Sequence, residues 1–158
     1  CRFVVGNVIK LPFPDHSFDA VMTFRLITHC ERWPELIREL CRVARVCVIA
    51  DYPTSQSFNA IAPAFFNAKK KIETNTRQWT LFRHEQIRDA FAGAGWPIAE
   101  KHGQFFFPMV VHRLLKCRPL SAGLESVSRA LGLNDAWGSP IIFLATPKPG
   151  EGGRAEPK

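Results

Sequence analysis

Two hydrophobic rhythms alternate along this chain: short unbroken apolar runs, and longer stretches in which apolar residues return every third or fourth position. Phe3-Val4-Val5 is the first run; it stops at Gly6 and predicts a strand leaving a sheet. A proline-rich loop follows. Residues 18–24, rich in β-branched and aromatic side chains, predict a buried strand. Trp33, Leu36, Ile37, Leu40, Cys41 and Ala44 then share one helical face, opposite Glu35, Arg38, Glu39 and Arg42, with Pro34 suited to the first turn. The run 46–50 predicts a strand ending at Asp51-Tyr52-Pro53.

The second half is less regular. Its pattern predicts a helix over 58–72, and another over 85–92 with Ile87, Ala90 and Phe91 on one side, closed at Gly93 or Gly95. A strand over 98–106 follows, then a helix capped by Ser121, running through Leu131 and closed by Gly132, then a last strand over 140–145. Strand, helix and strand at the lengths seen before residue 53 make a βαβ unit, which requires a parallel sheet with helices on its faces. The fold class is α/β.

Composition narrows the function classes. At 158 residues and 46% hydrophobic, the chain suits one domain with a real core, and 22% charged residues with 13 Phe exclude a disordered protein. The formal net charge is +7, which would suit nucleic acid or an anionic membrane surface. The positive residues are scattered, however, with only Lys69-Lys70-Lys71 in a run. No basic-aromatic RNA motif or zinc spacing accompanies them, which argues against nucleic acid. Cys1, Cys30, Cys41, Cys47 and Cys117 lack a C-x-x-C pair. That pattern points to core thiols in a reducing, cytoplasmic setting and predicts no metal site. No apolar stretch approaches the roughly 20 residues of a membrane span. Residues 148–158, rich in Pro, Gly and charge, are expected to form a disordered tail behind a domain over 1–147.

In open parallel sheets, ligands bind beyond the carboxyl ends of the strands. Residues 6–8, 24–29 and 51–53 sit at such ends. The Asn7 amide can donate and accept at the edge of a planar base, beside a backbone N–H. Phe24, Leu26 and Ile27 offer apolar surface to an aromatic ring or a sulfur-bearing chain.

The run Gly6-Asn7-Val8, with Leu11-Pro12-Phe13-Pro14-Asp15 and Ser17-Phe18-Asp19-Ala20-Val21 after it, resembles the middle of a class I S-adenosylmethionine-dependent methyltransferase. Leu26-Ile27-Thr28-His29 and Glu39-Leu40-Cys41-Arg42-Val43 match the segments that follow in that family. The similarity is specific up to about Asp51 and looser beyond, where Ala94-Gly95-Trp96 and two final strands suit the same fold. The resemblance implies a Rossmann-like sheet, mostly parallel with an antiparallel last strand. It also implies S-adenosyl-L-methionine as cofactor. Asn7 stands where the family has an Asp that accepts from the adenine amino group, Val8 where a backbone N–H faces the ring. Phe24, Arg25 and Leu26 stand where the strand end lines the cofactor.

Family members carry two further strands, with a glycine-rich loop, ahead of this stretch. The expectation is therefore an N-terminally truncated chain lacking its first two strands, weakly stable and binding little cofactor alone. Between helix and next strand the family tends to have Pro-Gly-Gly, whereas Val43-Ala44-Arg45-Val46 promises a shorter, glycine-free turn. The acceptor is expected to be small, apolar or aromatic. The alternatives are a non-catalytic methyltransferase-like interaction module, or an RNA methyltransferase.

Methyl transfer depends mainly on holding donor and acceptor in line, and needs a base only when the acceptor must lose a proton. His29 and Tyr52 are candidates for that role, with His84, His102 and His112 beside them, and a purely local role is open for each. Asp15 and Ser17 are explained by turn formation, and Asp19 by a local role at the strand start. Phe58, Phe65, Phe66, Trp79 and Phe82 suit either a lid over an apolar acceptor or a helix core. Phe105, Phe106 and Phe107 suit either strand core or pocket wall.

Overall fold

The structure, a computed structural model, describes residues 1–57, 80–107 and 118–148. Strand β1 (Phe18–Thr23) leads through a 3-10 turn (Ile27–His29) into helix α1 (Trp33–Val43), and strand β2 (Ala44–Tyr52) follows at once. Helix α2 (His84–Gly93) precedes strand β3 (Ile98–Gly103). Helices α3 (Arg118–Ala130) and α4 (Leu133–Trp137) precede strand β4 (Ile141–Ala145).

The strands form one sheet in the order β1-β2-β4-β3. β1 pairs parallel with β2, while β4 runs antiparallel to both β2 and β3. Three strands thus share a direction and the last opposes them, as expected for this α/β class.

One face of the sheet carries the core. Val48, Ala50 and Tyr52 of β2 and Ile141, Phe143 and Ala145 of β4 meet Leu36, Ile37 and Leu40 of α1 and Ile87 and Phe91 of α2. Alternation along β4 puts its odd-numbered residues inside and leaves Ile142 and Leu144 half-buried. Each Val, Leu, Ile or Phe side chain fully buried here contributes roughly 1.5–3 kcal/mol. Phe18, Met22 and Val46 stay exposed.

The two most conspicuous sequence motifs bind each other. Glu39 accepts the Leu11 N–H at 2.6 Å, and Arg42 donates to the carbonyls of Phe13 at 2.9 Å and Leu11 at 3.3 Å. Arg42 also pairs with Asp15 at 2.6 Å and Glu39 at 2.7 Å. His16 adopts a left-handed φ of 55°, its N–H bonded to Arg42 O and its Nδ1 donating to Ala44 O, both at 2.9 Å. Ser17 closes the turn onto Pro14 O at 2.5 Å. Asp19 pairs with Arg45, so its role is local as well. The proline-rich motif is thereby a strap on α1 rather than a ligand loop.

Several expectations need correction. Residues 3–5 form no strand: Phe3 and Val5 are fully exposed, and no strand among the described residues pairs with them. A strand needs a hydrogen-bonding neighbour more than it needs β-branched residues. No turn separates α1 from β2, because the helix closes as Ala44 enters the sheet. β3 ends at Gly103 and does not continue to residue 106. Ser121 is no N-cap, since α3 has begun by Arg118, although Gly132 does adopt a left-handed φ of 71° just past its end. Phe82 is buried core, its ring 5.3 Å from Trp33, and not part of a lid. The helix predicted over 58–72, Phe58, Phe65, Phe66, Trp79, His112, Cys117 and the tail from 149 lie outside the described residues.

β3 and β4 are joined by an insertion, residues 104–140, whose ends prolong their ladder through Gln104 N–H to Pro140 O at 3.0 Å and Ser139 N–H to Phe105 O at 2.8 Å. The Ser139–Pro140 peptide is cis. α4 packs on β3 so closely that a Cβ at Gly103 would overlap the Asn134 carbonyl oxygen, and Gly138, the C-cap of α4, is held against the same oxygen.

Candidate functional site

The carboxyl ends of β1 and β2 lie side by side. Their register pairs Thr23 with Ala50, so Phe24 and Arg25 leave β1 level with Asp51 and Tyr52. Instead of continuing the backbone ladder, the Arg25 N–H donates to the Asp51 carboxylate at 2.6 Å. Arg25 holds a left-handed φ of 56° there. For a non-glycine residue that conformation costs roughly 1–2 kcal/mol, and a charge-assisted bond to a buried carboxylate helps to offset it. Backbone strain of this kind concentrates at ligand sites.

The chain then makes its 3-10 turn. The Thr28 hydroxyl donates to Thr80 O at 2.8 Å and the Thr80 N–H returns to Thr28 O at 3.1 Å, tying the turn to the segment before α2. Thr54 and Phe82 bridge in parallel across the same edge.

Two of the candidate bases meet here. The Tyr52 hydroxyl lies 2.8 Å from His84 Nδ1, and the His84 backbone N–H donates to Gln56 Oε1 at 2.9 Å. Burial pushes the Tyr52 phenol up to about 12, with Glu85 adding to the effect. Burial, and then Lys101, hold His84 below its usual value, against a smaller opposing effect of Glu85. The pair is therefore neutral near pH 7, a phenol that keeps its proton beside an imidazole that resists gaining one.

The other predicted residues fall as follows. Asn7 is exposed and its Oδ1 already accepts the Ile9 N–H at 3.1 Å, closing a turn with Lys10 N–H on Asn7 O at 3.0 Å. Val8 and Phe24 are exposed, and Leu26 is half-buried against the core. His29 is exposed at the end of the 3-10 turn, its N–H on Leu26 O. His102 stands exposed on β3, within 3.8 Å of Asp135 and 3.9 Å of Glu100. Phe106 is buried, and it and Phe107 give their N–H groups to Glu125. In the sequence, Asp51 is marked only as a lone acid closing an apolar run at a strand end.

Among the described residues, no group of three or more His, Cys, Asp or Glu could hold a metal, and no helix is long and apolar enough to cross a membrane. A cleft of about 250 Å³ lined by Asp15, His16, Arg38, Cys41, Arg42, Ala94 and Trp96 lies at the opposite edge, where the strands begin. Its polar lining is largely spent on the strap.

The family described as "Methyltransferase domain" matches residues 1–46. An uncharacterized methyltransferase of Schizosaccharomyces pombe is 40% identical over 45 residues, 28% of this chain and 16% of that protein. Ajmaline N-methyltransferase of Rauvolfia serpentina is 29% identical over 83 residues, 49% of this chain and 28% of that one. The chain thus aligns with well under half the length of the curated relatives it matches. Among solved structures, magnesium protoporphyrin IX methyltransferase from Synechocystis with bound SAH superimposes with a TM-score of 0.56 at 13% identity, over 92% of this chain and 51% of that one.

Proposed function

On the premise that this chain carries a class I S-adenosylmethionine-dependent methyltransferase domain, we propose that its protein transfers a methyl group to a small, apolar or aromatic acceptor at the carboxyl edge of β1 and β2. The observation that carries this reading is the Arg25–Asp51 bond, which fixes a strained turn between the exposed ring of Phe24 and the buried Tyr52.

The residues fit the cofactor. Phe24 and Val8 present apolar surface suited to an adenine ring, and no bond among the described residues occupies the Val8 N–H. Asn7 Oδ1 retains one lone pair beyond the bond to Ile9, so it can accept from the adenine amino group without the charge an Asp would bring. When bound, the cofactor supplies an activated methyl on a sulfonium; the chain supplies placement. Arg25 and Leu26 direct the strand end past that space. Should the acceptor need to lose a proton, the Tyr52–His84 pair is better placed than His29, because it is anchored to β2 and α2 and held neutral.

The test is equilibrium binding of S-adenosylmethionine to the full-length protein, with Asn7→Ala/Phe24→Ala beside it, followed by transfer of labelled methyl to a panel of apolar aromatic and polar acceptors. We expect the double variant to weaken binding by roughly tenfold, about 1.4 kcal/mol, and label to enter the apolar panel. Binding indifferent to both substitutions would remove the pocket assignment. Label confined to polar acceptors would remove the acceptor class.

A further inference from the structure

β3 and β4 are antiparallel neighbours, a pairing that a loop of roughly 2–5 residues can close. Residues 104–140 run between them instead and carry α3 and α4. β3 shares its direction with β1 and β2, so this insertion leaves the sheet at the edge that carries Phe24, Asp51 and Tyr52.

α3 is oriented against the usual amphipathic rule. Its inward residues are polar: Glu125 and Ser128 are buried, Glu125 accepting the N–H groups of Phe106 at 3.3 Å and Phe107 at 3.1 Å, and of Asn134 Nδ2 at 3.2 Å. Ser128 turns its hydroxyl back to Leu124 O at 2.9 Å. Leu120, Val127 and the following Leu131 are 52%, 59% and 68% exposed. With half-buried Leu124 they fall at four-three-four spacing, one stripe along the helix. Ala122, Gly123, Ser126 and Ala130 widen the exposed surface without adding charge, and Trp137 of α4 is exposed as well.

Charge selects the occupant. Glu125 is the sole acid in α3 and it is engaged inward; the helix's other charged residues are Arg118 and Arg129, in a chain of net charge +7. The exposed Asp135 on α4 stands beside His102. An aliphatic stripe, an exposed tryptophan and an excess of positive charge suit the boundary between anionic headgroups and acyl chains. A protein groove would ask for a polar rim of both signs to fix its register, and apart from the inward Glu125 the only charged residues of α3 are Arg118 and Arg129.

We propose that the α3–α4 insertion docks on an anionic lipid surface, seating Leu120, Val127, Leu131 and Trp137 at the headgroup boundary. The docking stands independently of methyl transfer. If the apolar acceptor is lipid-borne, the insertion would bring the ligand edge of the sheet to its source.

The test is vesicle flotation of the full chain, without cofactor or acceptor, on phosphatidylcholine alone and on phosphatidylcholine with about 30% phosphatidylserine. We expect the bound fraction to rise at least about fivefold with phosphatidylserine and to fall with added salt. Val127→Ser/Leu131→Ser/Trp137→Ser should lose roughly tenfold of it, with an unchanged circular dichroism spectrum. Arg129→Glu, which spares the apolar stripe, should reduce the preference for phosphatidylserine even if the triple variant misfolds. No flotation, or flotation indifferent to both variants, would overturn the proposal. So would a dimer in solution that the triple variant dissociates, which would assign the stripe to a second copy.

Discussion

Asp51 shows how much one carboxylate can organise. Buried at the end of β2, it receives the Arg25 N–H and steadies a left-handed residue. Asp51→Asn keeps the shape and removes the charge, so it should cost about 1–2 kcal/mol in urea unfolding. Tyr52 gives an alkaline signature. Its phenol titrates higher in the fold, at about 12 against 10.0, so its contribution is complete below pH 10 and is lost as pH rises towards 12. Cys41, pushed up to about 12 from 9.0 by burial, acts in the same sense from pH 9. Tyr52→Phe should flatten the fall in unfolding free energy above pH 10; an unaltered slope would show that the phenol does not titrate this way. His84 works from the acid side. Its folded value lies below 6.5, so the unfolded chain binds the proton first and stability drops as pH falls below about that value. His84→Gln should reduce that acid dependence.

At the scale of elements, α1 is the organiser. Leu36 and Ile37 are wholly buried under the sheet, and Leu36→Ala should cost about 2–5 kcal/mol by thermal or urea unfolding. On its other side α1 carries the strap. Arg42→Ala removes the bonds to residues 11, 13 and 15 together, and should lower the melting temperature by a few degrees and expose the loop to proteolysis. The insertion depends on glycine. Gly103→Ala would drive a methyl into the Asn134 carbonyl and should destabilise by roughly 3 kcal/mol or more, whereas Gly123→Ala meets open space and should be neutral or slightly stabilising. Parallel thermal melts would separate the two. Periodicity found α1 and α2 because their apolar faces rest on the core, but the N-cap expected at Ser121 falls inside α3, which has begun by Arg118. There the buried face is Glu125 and Ser128, and no hydrophobic count identifies it as the inside.

For the whole molecule, sheet order sets local stability. β2 is paired on both sides and packed under α1, while β1 and β3 are edges of the described sheet. The amides of β2 should therefore be last to exchange with deuterium, and residues 3–10 among the first. Equal protection of β1 would contradict that ranking. The chain's own pattern determined the α/β class and the βαβ unit, because burial of alternating runs and helical faces is a local property of residue order. The resemblance of residues 6–29 and 39–43 carried the family reading. Only the tertiary structure decided that residues 3–5 find no strand partner among the described residues, that the proline-rich motif straps α1, that Tyr52 meets His84 across residues 53–83, and that α3 turns Leu120 and Val127 outward. Each of these depends on which residues distant in sequence meet and which do not, and hydrogen bonds and close packing of that kind leave no period along the chain.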